Sequence, residues 1–219
     1  MADPNHLEII RSGADEWNQW RKKNEAVVPS LWEADLSGTD LCGANLRQAN
    51  LSRADLSGAY LLLANLRGAN LTRANLSRAN LSQANAKTAD LSDADLSYAI
   101  LSETQLQSAM LFRTNLNLAN IERADLSDTT LFETIFSDSN LTGTKGLDKC
   151  RHLGASVLDY RTLAQSGPLP LNFRLGIPHR LLRESFSQPL LARLGCKKPS
   201  GKIPLHQIFR AIQEAQRWL

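Results

Sequence analysis

At 219 residues and a net charge of +3, the chain has room for one repeat-built body with flanks but not for a second large domain. It has no cleavable apolar N-terminal segment and no apolar run of about 18 residues, so neither a signal peptide nor a membrane span is expected. Its cysteines, Cys42, Cys150 and Cys196, are odd in number and widely spaced, which suits a reducing cytoplasm better than a disulfide framework.

Residues 1–30 read as an N-terminal cap. Leu7, Ile10, Ala14, Trp17 and Trp20, or the stem of Arg21, fall near helical spacing, so a short amphipathic helix can lay this stripe over whatever follows. Gly13 weakens that helix, and Pro29 ends it.

From Leu31 to Leu141 one period governs the chain. Every fifth residue is apolar: 20 of the 23 positions hold Leu, and the others hold Ala86, Ile121 and Phe136. Two residues before each leucine, from Ala34 to Ser139, stand 16 Ala, five Thr and one Ser. Such a period fixes the architecture ahead of any local preference. Five residues advance an α-helix by about 500°, so the leucines would line no face. On a strand an odd period sends successive leucines to opposite faces. The pattern is satisfied if the backbone turns once per pentad, each leucine pointing to a shared axis and four turns closing a square coil of about 20 residues. Stacked coils then place Leu above Leu and Ala above Ala at ~4.8 Å, in a rod roughly 27 Å long.

Asn or Asp stands just before most of the leucines (Asp35, Asn45, Asn50, Asn65 and onward), and Ser or Thr often follows. Short polar side chains of this kind bond nearby backbone and favour turns. The A-[DN]-L-[ST]-x pattern, clean in Ala74-Asn75-Leu76-Ser77-Arg78 and Ala79-Asn80-Leu81-Ser82-Gln83, resembles the pentapeptide-repeat family over about residues 31–145. The resemblance implies an all-β solenoid, a right-handed quadrilateral β-helix. Trp17-Asn18-x-Trp20-Arg21 also resembles the leader of many bacterial members.

The flank, 146–219, abandons the period at Gly146. Six prolines from Pro168 to Pro204 divide it into short helices and loops, with helical spacing around Leu181–Leu194 and Leu205–Leu219. Arg151-His152-Leu153-Gly154 and Arg161-Thr162-Leu163-x-x-Ser166-Gly167 resemble the segment after the repeats in cyanobacterial-type members. Charge is uneven: −1 over 1–30, +1 over 31–86, −5 over 87–145 and +8 over the flank.

Chemistry-bearing constellations are scarce. Cys150 and His152 lack a second ligand pair, and His6, His179 and His206 stand apart, so neither a metal nor a cofactor is expected. The serines fill outward repeat positions, with no paired His and Asp beside a nucleophile elbow. Outward apolar residues are the better lead, because a repeat rod has no structural need of them: Tyr60, Leu62 and Leu63 in one unit, Ile100 two coils above Tyr60, and Phe112 and Phe132 on consecutive coils. For the last two, coverage by the C-terminal flank is the expected explanation. Residues 20 apart stack, so Arg47, Arg67 and Lys87 form one basic column and Arg53 and Arg73 another. Such columns can track phosphates, but no aromatic residues interleave with them as nucleic-acid stacking would want, so a solvated face is the expectation.

Two functions remain. Repeat solenoids act mainly by binding, which makes a non-catalytic cytoplasmic scaffold for an unidentified protein partner the first expectation. The family resemblance implies the second, imitation of DNA to protect a type II topoisomerase such as gyrase. That role wants a long, strongly negative rod, whereas residues 31–145 total −4, with Glu103, Glu122, Asp128, Glu133 and Asp138 confined to one half. Neither a membrane nor nucleic acid is expected as a partner. The oligomeric state is left open, a dimer through the C-terminal flank being one possibility.

Overall fold

The computed structural model describes residues 1–154, 156–167, 169–170 and 173. The helical segments expected over 181–194 and 205–219, and Cys196, lie outside the described residues. From Ser30 onward each residue before a leucine pairs in parallel with the residue 20 further on: Ser30 with Asn50, Asp35 with Asp55, and so to Asp125 with Lys145. The chain therefore stacks in 20-residue coils of four pentads each. Every member of the leucine column is at most 2 % exposed, and so is every small residue two before it except Thr39, which is half-buried. Burying one leucine contributes about 1.5–3 kcal/mol, and this continuous apolar axis is what holds the stack.

Extended strand is scarcer than an all-β rod leads one to expect. Named strands occur only near the C-terminal end of the described residues: β1 (Met110–Phe112), β2 (Thr130–Phe132), β3 (Ile135–Phe136), β4 (Arg151–His152) and β5 (Val157–Leu158). They join as parallel sheets β1-β2-β4 and β3-β5. The cause lies in the pentad. The leucine carbonyl accepts a bond from the amide three residues on, as Ala34 N to Leu31 O at 3.1 Å, so a β-turn consumes most of each unit and leaves one ladder residue per face.

The turn sets the corner geometry. Its third residue has positive φ at all 23 corners from Glu33 to Gly143, and 18 of these residues are not glycine. Each L-residue in this left-handed region costs roughly 1–2 kcal/mol. Its amide is bonded to the next coil, as Arg53 N to Thr72 O at 2.9 Å, and the leucine buried two residues earlier offsets the strain. Because the corner turns the side chain outward, the corners carry the most protruding residues.

The polar letters of the repeat close the turns. Asn75 Oδ1 accepts from the amide of Ser77 at 3.1 Å and from its hydroxyl at 2.7 Å, while Asn75 Nδ2 donates to Asp55 Oδ1 one coil back at 3.0 Å. Where Thr or Ser replaces the inward alanine, the hydroxyl finds a backbone carbonyl, in the preceding coil for Thr104 (Leu81 O, 2.7 Å) and Thr114 (Leu91 O, 2.9 Å) and in its own turn for Thr39 (Leu36 O, 2.6 Å) and Thr129 (Leu126 O, 2.7 Å). A buried hydroxyl is tolerated because it is satisfied.

The ends differ chemically. In most pentads the amides of the leucine and of the corner residue bond forward to the next coil, while the carbonyls before and after the leucine face back. The first coil thus leaves these carbonyls open, together with the amides before its leucines, two of which are met by Asn18 Oδ1 (Asn45 N, 2.7 Å) and His6 Nδ1 (Ser30 N, 3.2 Å). The last coil leaves the amides of its leucines and corners open. The single helix expected at the N-terminus is two, α1 (Pro4–Ser12) and α2 (Ala14–Lys23), broken at Gly13 with φ 130°. They supply donors: Arg11 Nη2 to Asp35 O at 2.9 Å, Trp17 Nε1 to Asn45 O at 2.9 Å and Asn18 Nδ2 to Gly43 O at 3.1 Å. Arg21 completes the set with Nη2 to Arg47 O at 3.2 Å and Nη1 to Val27 O at 2.7 Å. Arg21, not Trp20, is the buried member of the last turn, and burial lowers its pKa.

At the far end α3 (Tyr160–Ser166) supplies acceptors. Asp159, its N-cap, accepts from Asp138 N at 3.0 Å, Thr162 Oγ1 from Ser139 N at 3.0 Å, and Ser166 Oγ from Leu141 N at 2.9 Å.

Candidate interaction surface

With the axis filled, what the rod can do is set by its outward positions. Tyr60 is 55 % exposed and Leu63 60 %, with Leu62 half-buried between them. All three belong to one face of the second coil, and Leu63 is a corner residue with φ 59°. Ile100 is exposed two coils above Tyr60 along the Tyr60–Asn80–Ile100 ladder. Two further residues escape a reading of the sequence by units: Tyr98 and Leu118 are corner residues one coil apart, both exposed, with the Arg78 guanidinium 5.8 Å from the Tyr98 ring centre. Reading the sequence at intervals of 20 does reveal them.

Phe112 and Phe132 are different. They lie half-buried with ring centres 6.0 Å apart, in an edge-to-face contact. Gly154 sits so close to Phe132 that a Cβ there would fall 2.5 Å from the ring, and β4 pairs with β2 beside it. The C-terminal flank covers Phe132, and Phe132 in turn shields Phe112.

The two basic columns also part company. Arg53 and Arg73 belong to a corner column that reads Glu33, Arg53, Arg73, Asp93, Arg113, Glu133. Arg53 pairs with Glu33 at 3.2 Å, and Asp93 lies 2.6 Å from Arg113 and 3.8 Å from Arg73. Hydrogen bonding from Arg113 holds the Asp93 carboxyl below its usual range. This is an internally balanced ladder, not a basic stripe. Arg47, Arg67 and Lys87 have no carboxylate partner among the described residues.

The acidic candidates are partly spent as well. Glu122 lies 3.6 Å from Arg123, Glu103 accepts from Gln83 at 3.1 Å, and Asp138 is held by Arg161 at 3.0 Å and Gln165 at 2.7 Å.

Among the described residues no group of three or more His, Cys, Asp or Glu side chains could hold a metal ion, and no helix is long and apolar enough to cross a membrane. Burial pushes the Cys150 thiol up to about 11, so it stays protonated at neutral pH and is a poor nucleophile. Burial lowers the His152 pKa, and the imidazole packs against Phe173 with ring centres 5.5 Å apart.

Comparison with solved structures returns other repeat proteins of this pattern. A pentapeptide repeat protein from Nostoc Pcc 7120 is 40% identical over 37% of this chain and 68% of its own, with a TM-score of 0.37. The pentapeptide repeat protein Rfr23 from the cyanobacterium Cyanothece 51142 is 28% identical over 61% of this chain and 88% of its own, at 0.44. QnrB1, a plasmid-mediated fluoroquinolone resistance protein, is 18% identical over 78% of this chain and 95% of its own, at 0.41. Comparison with curated proteins returns no match. The family model for pentapeptide repeats matches residues 30–61, 49–85, 89–128 and 111–145, just over half of the chain. With the buried apolar column and the 20-residue parallel register, that match makes the chain a member of the pentapeptide-repeat family.

Proposed function

We propose that the protein is a non-catalytic cytoplasmic scaffold that holds a partner protein against the outward apolar residues of its coils. The coils would turn in the right-handed, four-sided sense that the family resemblance implies. The observation that carries this function is the exposure of Tyr60 and Leu63, 55 % and 60 %, on a body whose own core is complete without them. Apolar side chains grouped on a rigid surface mark contact area, and a rigid rod orders little on binding, which favours affinity. DNA imitation is less well served, because Glu103, Glu122 and Asp138 are engaged within the chain.

The test is a Tyr60→Ser, Leu62→Ser, Leu63→Ser variant. It should melt close to the parent and lose proteins that the parent captures from a native lysate, since truncating central apolar contacts typically costs about 2 kcal/mol or more of binding. A folded triple variant that keeps every partner, beside a Glu103, Glu122, Asp128 and Glu133 to Lys variant that loses a type II topoisomerase, would overturn the scaffold in favour of DNA imitation.

A further inference from the structure

The chain answers the charge of six of the nine cations on its rod. Arg53, Arg73, Arg113 and Arg123 sit in ion pairs, Arg78 stacks on Tyr98, and Lys145 lies beside Asp125. Arg47, Arg67 and Lys87 are the exception among the described residues. They occupy equivalent outward positions on one face of three successive coils, so like charges stand ~4.8 Å apart with no counter-charge built in. This strip adjoins the apolar patch directly: Arg67 follows the corner residue Leu63 by four positions, on the next face of the same coil.

We propose that the partner seated on Tyr60, Leu62 and Leu63 is an acidic protein segment with interspersed apolar residues, its carboxylates resting on the Arg47, Arg67 and Lys87 strip. The proposal rests on the scaffold function above and names the chemistry of its partner. Two observations favour this occupant. The chain beyond Phe173 carries nine Lys and Arg against two Glu, so it would repel the strip instead of neutralising it. The strip's face offers no aromatic residue from Asn45 to Thr88 on which a base could stack, and three cations are few for a nucleic-acid backbone.

The experiment is fluorescence anisotropy with three labelled probes: a peptide alternating Glu and Leu, an all-Glu peptide of equal length, and an oligothymidylate. Two variants change net charge equally, Arg47→Gln with Arg67→Gln, and Arg53→Gln with Arg73→Gln. The Glu–Leu peptide should bind, weaken about tenfold in the first variant and less than about twofold in the second, and weaken as salt rises. The Tyr60, Leu62 and Leu63 to Ser variant should weaken the Glu–Leu peptide and leave the all-Glu peptide unchanged. Equal losses in the two charge variants would reduce the effect to net charge and overturn the proposal, as would no peptide binding at all. Tighter binding of the oligonucleotide, lost in the first variant, would make the strip a nucleic-acid site instead. If lysate partners are lost with the apolar triple but kept by Arg47→Gln with Arg67→Gln, the scaffold function stands and the acidic partner falls.

Discussion

Leu76→Asp should leave the protein unfolded at room temperature, while Ser77→Asp, the neighbouring residue, should fold and melt within a few degrees of the parent. Leu76 is fully buried in the middle of an apolar column, where a carboxylate would have no partner and would either stay charged at a cost of several kcal/mol or bind a proton and still leave a cavity. Total stabilities are only about 5–15 kcal/mol. Ser77 is half-buried at an outward position and its hydroxyl bonds to Asn75 Oδ1, so an acid there loses one part-buried hydrogen bond, worth about 1 kcal/mol. Circular dichroism melts of the two variants decide the matter, and similar behaviour would mean that inward and outward positions are misassigned.

Trp17→Ala should cost about 3–5 kcal/mol, the usual range for emptying a buried tryptophan site. Trp17 is fully buried and packs on His6 and Trp20. Its indole N–H also satisfies the Asn45 carbonyl that no earlier coil can reach. Loss of both should lower the melting temperature and speed amide exchange in residues 30–50 ahead of the middle coils, because an uncapped solenoid frays from its end. An unchanged melting temperature, with exchange uniform along the rod, would contradict the capping role.

How much of this could be read from the sequence depends on the scale of the interaction. The column from Leu31 to Leu141 and the small residues beside it are spelled out letter by letter, since each must fit the same cross-section. The scarcity of strand was not legible, because the period announces a turn per pentad without saying how many residues the turn consumes. The caps were half-legible. Helical spacing marks Ile10 and Trp17, but Arg11, Asn18 and Arg21 work as donors to first-coil carbonyls 24 to 26 residues away, a role that spacing cannot display. Asp159, Thr162 and Ser166 became meaningful only once the unpaired amides of the last coil were known. At the surface, stacking residues 20 apart brought Arg53 and Arg73 together correctly. The charge balance of that column becomes legible only when Glu33 and Asp93, in the same column, are counted with them.

Every column, bare or balanced, follows from the 20-residue register, so that register is the claim to test first. With Cys42, Cys150 and Cys196 replaced by Ser, cysteines at Ser77 and Ser97 should be joined rapidly and intramolecularly by a thiol-to-thiol linker about as long as the ~4.8 Å inter-coil spacing. Cysteines at Ser77 and Lys87, ten residues apart in sequence but on opposite faces of one coil, should not be joined. Efficient linking of the 77–87 pair, with none between 77 and 97, would contradict the register and with it the assignment of every surface column.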